Sequence, residues 1–188
     1  PGREAGADKV IDGRGTSAIP GYIDVHVHGG DGHDFNDGTE ESVRQTRDFY
    51  QKHGVTTIFP SYLALRISEI EACLDSLRKV RSENAPGKAE VACAHLEGPF
   101  LNPQYHGSQP VDQIVPIDDD NVGIFERYRD TIARTTIAPE YGNNMEYFPG
   151  IAALGIQISM GHSCATISQA RGGWGEGAAS VAPLYHAL

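Results

Sequence analysis

Three places in the chain set imidazoles and a carboxylate where they could share a cation. The first is Pro20-Gly21-Tyr22-Ile23-Asp24-Val25-His26-Val27-His28-Gly29-Gly30. Read as a strand, it puts Tyr22, Asp24, His26 and His28 on one face and Ile23, Val25 and Val27 on the other. Two imidazoles two residues apart project side by side, which suits a shared metal ion. Solvated histidines at the end of a half-buried strand are the alternative, and only partner ligands elsewhere can decide. The second place is Glu90-Val91-Ala92-Cys93-Ala94-His95-Leu96-Glu97. There Val91, Cys93, His95 and Glu97 share a face, and a carboxylate among apolar neighbours is costly unless paired or ligated. Glu97 is therefore expected to have a metal-binding or catalytic role. His95, deeper by one residue pair, is expected to support the ligands from behind. In the third place, Ile156, Ile158, Met160 and His162 alternate toward a strand tip, and His162 is read as a ligand in keeping with the other two.

The elements that must position these groups follow from periodicity and punctuation. Lys9-Val10-Ile11-Asp12 reads as a short strand in a Gly- and charge-rich start. Asp31 to Gly38 reads as an ordinary loop; its Asp34-x-Asn36-x-Gly38 lacks the ligand spacing of a calcium loop. Thr39 is placed as the N-cap of a helix ending at His53 and stopped by Gly54. Val55 to Phe59 is β-branched and should end at Pro60. Ser68-x-x-Glu71 is read as a capping box, with Ile67, Ile70, Leu74, Leu77 and Val80 as the inner stripe. Cys73 beside that stripe is read as core. A Pro-rich loop over Leu101 to Pro116 is followed by a helix burying Val122, Phe125 and Tyr128. Then come a strand at Thr135 to Glu140, a short helix near Phe148 to Leu154, the strand ending at His162, a glycine-rich and therefore weak helix capped by Thr166, and a strand at Ser180 to Tyr185.

Repeated βα units predict a parallel sheet with helices outside it. Polar groups gathered at C-terminal strand ends are what a TIM-type barrel uses for its site. An open doubly wound sheet is the other arrangement compatible with this order. Six strands amount to an α/β fold of the (β/α)8 TIM-barrel type, incomplete in this chain. Residues 1–18 are expected to be a remnant of a small β domain or a loose terminus, and residues 19–188 the partial barrel.

Bulk composition narrows the function classes. The 188 residues are 39% hydrophobic and 21% charged, as expected for a soluble globular protein. A formal charge of −10 argues against a nucleic-acid or anionic-membrane surface. It also means that an anionic substrate would need a local cationic or amide-lined pocket. Three scattered cysteines favour reduced thiols and a cytoplasmic setting over a disulfide framework. No apolar run approaches the roughly 18 residues of a membrane span, and no signal peptide opens the chain.

Four segments occur in a telling order: Pro20-Gly21-x-Ile23-Asp24-x-His26-x-His28-Gly29, His95-Leu96-Glu97-Gly98-Pro99-Phe100, Ala138-Pro139-Glu140, and Met160-Gly161-His162-Ser163-x-Ala165-Thr166. Together they resemble the N-acetylglucosamine-6-phosphate deacetylases of the metal-dependent amidohydrolase superfamily, from about Val10 to Leu188. The first segment alone would indicate only the superfamily; His-Leu-Glu-Gly-Pro-Phe with Gly-His-Ser narrows it. The resemblance implies an enzyme of amino-sugar metabolism that hydrolyses the N-acetyl group of an amino-sugar phosphate, with one or two divalent ions, zinc or iron, per site and a homodimeric state. It implies that Glu97 and His162 bind one metal and that His26 and His28 bind a second in members that have it. It assigns substrate contacts to Ser108, Gln109, His186 and Ala187, with Gln109 standing where the family often has His. Two departures stand out. The family's second later histidine ligand falls on Pro183, and its catalytic Asp falls past Leu188, so no catalytic residue is assigned. The competing readings are a non-catalytic relic of such an enzyme, and an amidohydrolase acting on cyclic amides. The latter would want a carboxylated lysine where Glu97 stands.

Overall fold

The computed structural model describes residues 10–83 and 85–182. Six parallel strands run side by side in chain order: β1 (Tyr22–Val27), β4 (Val55–Tyr62), β6 (Ala94–Glu97), β7 (Ile132–Ile137), β8 (Gln157–Met160) and β9 (Ala178–Val181). A doubly wound sheet reverses its strand order at a switch point, and no reversal occurs here. Helices α1 (Glu40–Lys52), α2 (Ile67–Arg81), α3 (Gly123–Arg127), α4 (Phe148–Ala153) and α5 (Ile167–Gly175) fill the crossovers. The result is a parallel, half-barrel-like α/β sheet with the core between strands and helices. Among the described residues no helix is long and apolar enough to cross a membrane.

The helices form where capping and periodicity ask for them. Thr39 Oγ1 accepts from Ser42 N at 3.1 Å, and Glu40 and Glu41 occupy the positive end of α1. In α2, Ile70, Leu74, Leu77 and Val80 are buried, and so is Cys73, whose thiol burial pushes up to about 11. That helix starts two residues earlier than Ser68 as N-cap would have it. Arg66 is the N-cap, Glu69 reaches back to Arg66 N at 3.1 Å, and Glu71 instead pairs with Arg127. The capping box at Thr166 and Gln169 forms as read.

Other strand limits shift for reasons of pairing. β4 continues through Pro60 to Tyr62. Pro60 lacks an N–H, and it falls in the gap between Ile58, which pairs with Val91 of β5 (Glu90–Val91), and Ser61, which pairs with His95 of β6. The strand expected over 90–97 is accordingly two pieces, with Ala92 and Cys93 outside the ladder. β7 begins earlier and stops at Ile137, because Ile132 pairs with Ala94 and Pro139 cannot continue the ladder. β9 begins two residues early, drawn by pairing of Ala178 with Ile158. Val10 and Ile11 are exposed and in no strand. The acidic loop holds a small hairpin, β2 (Gly29–Gly30) with β3 (His33–Asp34), and a 3-10 turn capped by Asp34. Asn36 Oδ1 accepts from Leu63 N, so this loop seats the next one.

Candidate metal centre

His26 ends the inner face of β1, and His28 lies one residue past the strand. Their Nε2 atoms are 3.1 Å apart. Glu97 ends β6 beside them; its Oε2 lies 2.9 Å from His28 Nε2 and 3.2 Å from His26 Nε2. These three side chains present one ligand atom each to a common point. For metal–nitrogen bonds near 2.0–2.1 Å, tetrahedral ligands sit roughly 3.3 Å apart, so the triangle is the size that a small divalent ion requires. The other carboxylate oxygen, Oε1, faces His162 Nε2 at 3.5 Å. Glu97 thus stands between His162 on one side and the His26–His28 pair on the other.

Electrostatics agree with the donor set. Burial pushes the Glu97 carboxyl up, but hydrogen bonds from His162, His26 and His28 outweigh it and hold the group well below the usual carboxylate range. Burial likewise pulls His28 and His162 down, and the facing Glu97 carboxylate more than compensates, leaving both raised. A buried anion that draws protons onto its imidazoles is a site that would exchange those protons for a cation.

The neighbours behind the ligands fix ring orientation. His28 Nδ1 lies 3.0 Å from Ser61 O, and His162 Nδ1 lies 3.0 Å from Tyr105 O, so each ring turns Nε2 to Glu97. His95 is fully buried beneath His26, with ring centroids 4.8 Å apart and Nδ1 and Nε2 bonded to Ser61 Oγ and Thr136 Oγ1. Burial, reinforced by the charge of His26, pushes it down to about 3. Its polar partners and low basicity fit a neutral support rather than a ligand. Ser61 also accepts from Val27 N at 3.2 Å, between the two histidines. Sequence reasoning passes over Ser61 because the strand is expected to end at Pro60, one residue before it.

His162 reaches the site by a route that alternation does not foresee. Parallel neighbours in register share a face, and Thr136 pairs with both Glu97 and Ser159. The inward residues of β8 are therefore Gln157 and Ser159, while Met160 Sδ packs toward Gly173 on the helix side. His162 does not share an inward face with Ile158 and Met160. It lies past the strand with φ 50°, a left-handed conformation that costs a non-glycine residue about 1–3 kcal/mol. That turn brings the ring inward. Gly161 permits it, since a Cβ there would lie 1.5 Å from Ala182 O. Gly98, at φ 130°, does the same after Glu97, where a Cβ would meet the Ala64 backbone at 2.9 Å.

The residues assigned to substrate separate. Gln109 is buried and committed inward: its Oε1 accepts from Ala64 N at 2.7 Å and its Nε2 lies 3.4 Å from Glu97 Oε2. Ser108 is exposed beside it. Pro183, His186 and Ala187 lie outside the described residues.

No family model matches the chain. Among curated proteins, the N-acetylglucosamine-6-phosphate deacetylase of Lysinibacillus sphaericus is 31% identical over 95% of this chain and 46% of its own length. That of Bos taurus is 31% identical over 97% of this chain and 46% of its own. Among solved structures, a mutant of the N-acetyl-D-glucosamine-6-phosphate deacetylase of Mycobacterium smegmatis, in complex with N-acetyl-D-glucosamine-6-phosphate, matches with a TM-score of 0.81. It is 26% identical, over 90% of this chain and 44% of that one. The chain spans about half the length of the relatives it matches. By sequence and fold the chain is similar to part of the N-acetylglucosamine-6-phosphate deacetylases.

Proposed function

We propose that this chain supplies the metal-binding part of an amidohydrolase-type (β/α)8 barrel that removes the acetyl group of N-acetylglucosamine 6-phosphate, giving glucosamine 6-phosphate and acetate. Residues 19–188 are the barrel portion in this reading. The observation that carries it is the convergence of His26, His28, Glu97 and His162 at the C-terminal ends of β1, β6 and β8, where such barrels place their sites. A divalent ion held there, zinc or iron, would supply Lewis-acid polarisation of the acetyl carbonyl and a more acidic water.

The chain's own residues do the holding. Glu97 offers one oxygen to His162 and the other to His26 and His28, an arrangement that suits either one ion or two. Ser61 O and Tyr105 O keep the Nε2 atoms pointed inward. Gln109, lying on Glu97, limits rotation of the carboxylate and closes that side to solvent. A carboxylate that takes the proton of the attacking water and passes it to the leaving amine is required by the chemistry, and we assign none within these residues.

The test is acetate release from N-acetylglucosamine 6-phosphate by the full-length protein loaded with zinc, against the same protein stripped by chelator. Release that depends on the metal is expected; none in either sample overturns the reading. A specific feature favours a second reading: Pro183 stands where the resemblance puts a histidine ligand. A non-catalytic relic predicts purified protein with no bound metal and no acetate release.

A further inference from the structure

Glu140 closes the Ala138-Pro139-Glu140 segment, which neither the metal centre nor the substrate assignments use. It lies past the end of β7, half-buried, and all its hydrogen bonds go to the two segments that bracket His162. Oε1 accepts from Asn102 Nδ2 at 2.8 Å and from Cys164 N at 2.8 Å. Oε2 accepts from Ser163 Oγ at 2.6 Å. Asn102 in turn donates its backbone N–H to His162 O at 3.0 Å, and its side chain caps the turn that contains Tyr105, accepting from Gln104 N at 2.9 Å. Ser163 Oγ also accepts from Ala165 N at 2.9 Å. One carboxylate therefore fastens the residues that follow His162, the residue that holds its carbonyl, and the turn whose Tyr105 carbonyl orients its ring.

We propose that Glu140 is a positioning residue: acting through Ser163, Cys164 and Asn102, it holds His162 in the left-handed conformation that aims Nε2 at Glu97. Strand alternation alone would send a side chain at this position toward the helices, where Met160 already packs. The inward position must therefore be enforced by contacts around residue 162, and Glu140 is the charged group that joins them. A carboxylate accepting from a hydroxyl, an amide and a backbone N–H makes stronger bonds than a neutral acceptor would. The proposal rests on the reading of His162 as a metal ligand.

The test is zinc titration of the purified, chelator-stripped protein against a competing indicator. Changing a group that supports metal ligands from behind typically weakens affinity 10- to 100-fold, and Glu140→Ala should fall in that range. Glu140→Gln, which keeps an acceptor oxygen for Asn102 and Cys164, should recover part of the loss. The decisive comparison is a double-mutant cycle. In a His162→Ala background, Glu140→Ala should change zinc affinity by less than about twofold, because its effect runs through His162. A loss of equal size in both backgrounds, or no loss in either, overturns the proposal even if thermal stability falls. Should Glu140→Ala fail to fold, Glu140→Gln and Ser163→Ala carry the same cycle. Zinc binding that His162→Ala leaves unchanged would overturn His162 as a ligand, and the proposal with it. Binding that needs His162 and ignores Glu140 overturns the proposal alone.

Discussion

At Glu97 the two oxygens face different imidazoles, and this asymmetry decides which substitutions matter most. Oε2 lies within 3.2 Å of both His26 and His28, whereas Oε1 is 3.5 Å from His162. With proline at position 183, a retained ion would lean on the His26–His28 side. The double substitution His26→Ala with His28→Ala should therefore abolish metal binding by the purified protein, read as metal content by mass spectrometry. Unchanged content would contradict it. His95 makes a separate prediction. Its folded value, about 3, lies below its ordinary 6.5. Between those pH values the unfolded chain binds the extra proton, so stability from this group rises with pH across that window and falls as pH drops through it. Replacing His95 with Asn should flatten the acid side of the urea-midpoint profile; an unaltered slope would show that His95 is not held neutral by burial.

The elements bring these residues to one place through their ends. β1, β6 and β8 stop at or just before a ligand, and each stop has a glycine beside it: Gly29, Gly98 and Gly161. The closest approach is at Gly161, between β8 and the Ala182 carbonyl that follows β9. Gly161→Ala forces those two strand ends apart and should destabilise by about 1–3 kcal/mol or more. A urea midpoint within experimental error of the unaltered protein would refute so tight a contact. The helices contribute differently. α2 buries Ile70, Leu74, Leu77 and Val80 against the sheet, a stripe readable at helical spacing. Its true start at Ile67, capped by Arg66, was less readable, since Ser68 and Glu71 offer the same pattern two residues further on.

Across the whole molecule, the sequential order of the six strands leaves β1 and β9 with one strand partner each among the described residues, while β4, β6, β7 and β8 are paired on both sides. Outer-face residues of β1 show the consequence: Val27 is buried, yet Ile23 and Val25 are 62% and 50% exposed. Amide hydrogen exchange of the 188-residue chain should be slowest in β6 and β7 and faster in β1 and β9. Uniform protection across the sheet would mean that something covers those edges. The charge of −10 is spread over a surface with many local ion pairs, among them Lys88 with Asp48 at 2.7 Å and Arg78 with Asp130 at 2.6 Å. Individually exposed pairs of this kind contribute little to stability.

The sequence by itself determined the βα alternation, the helix stripes and the candidate metal ligands. Side-chain type and spacing along the chain are sufficient for those. His26, His28 and Glu97 could each be placed at a strand tip because alternation holds up to the end of β1 and β6. Only the tertiary structure decided the single-direction strand order, the passage of β4 through Pro60 and the backing of His28 and His95 by Ser61, because these depend on pairing between distant segments. It also decided how His162 faces inward. Alternation carries it toward the helices, and a left-handed turn held by contacts between residues 23 or more positions apart, such as Glu140 with Ser163 and with Asn102, sends it back.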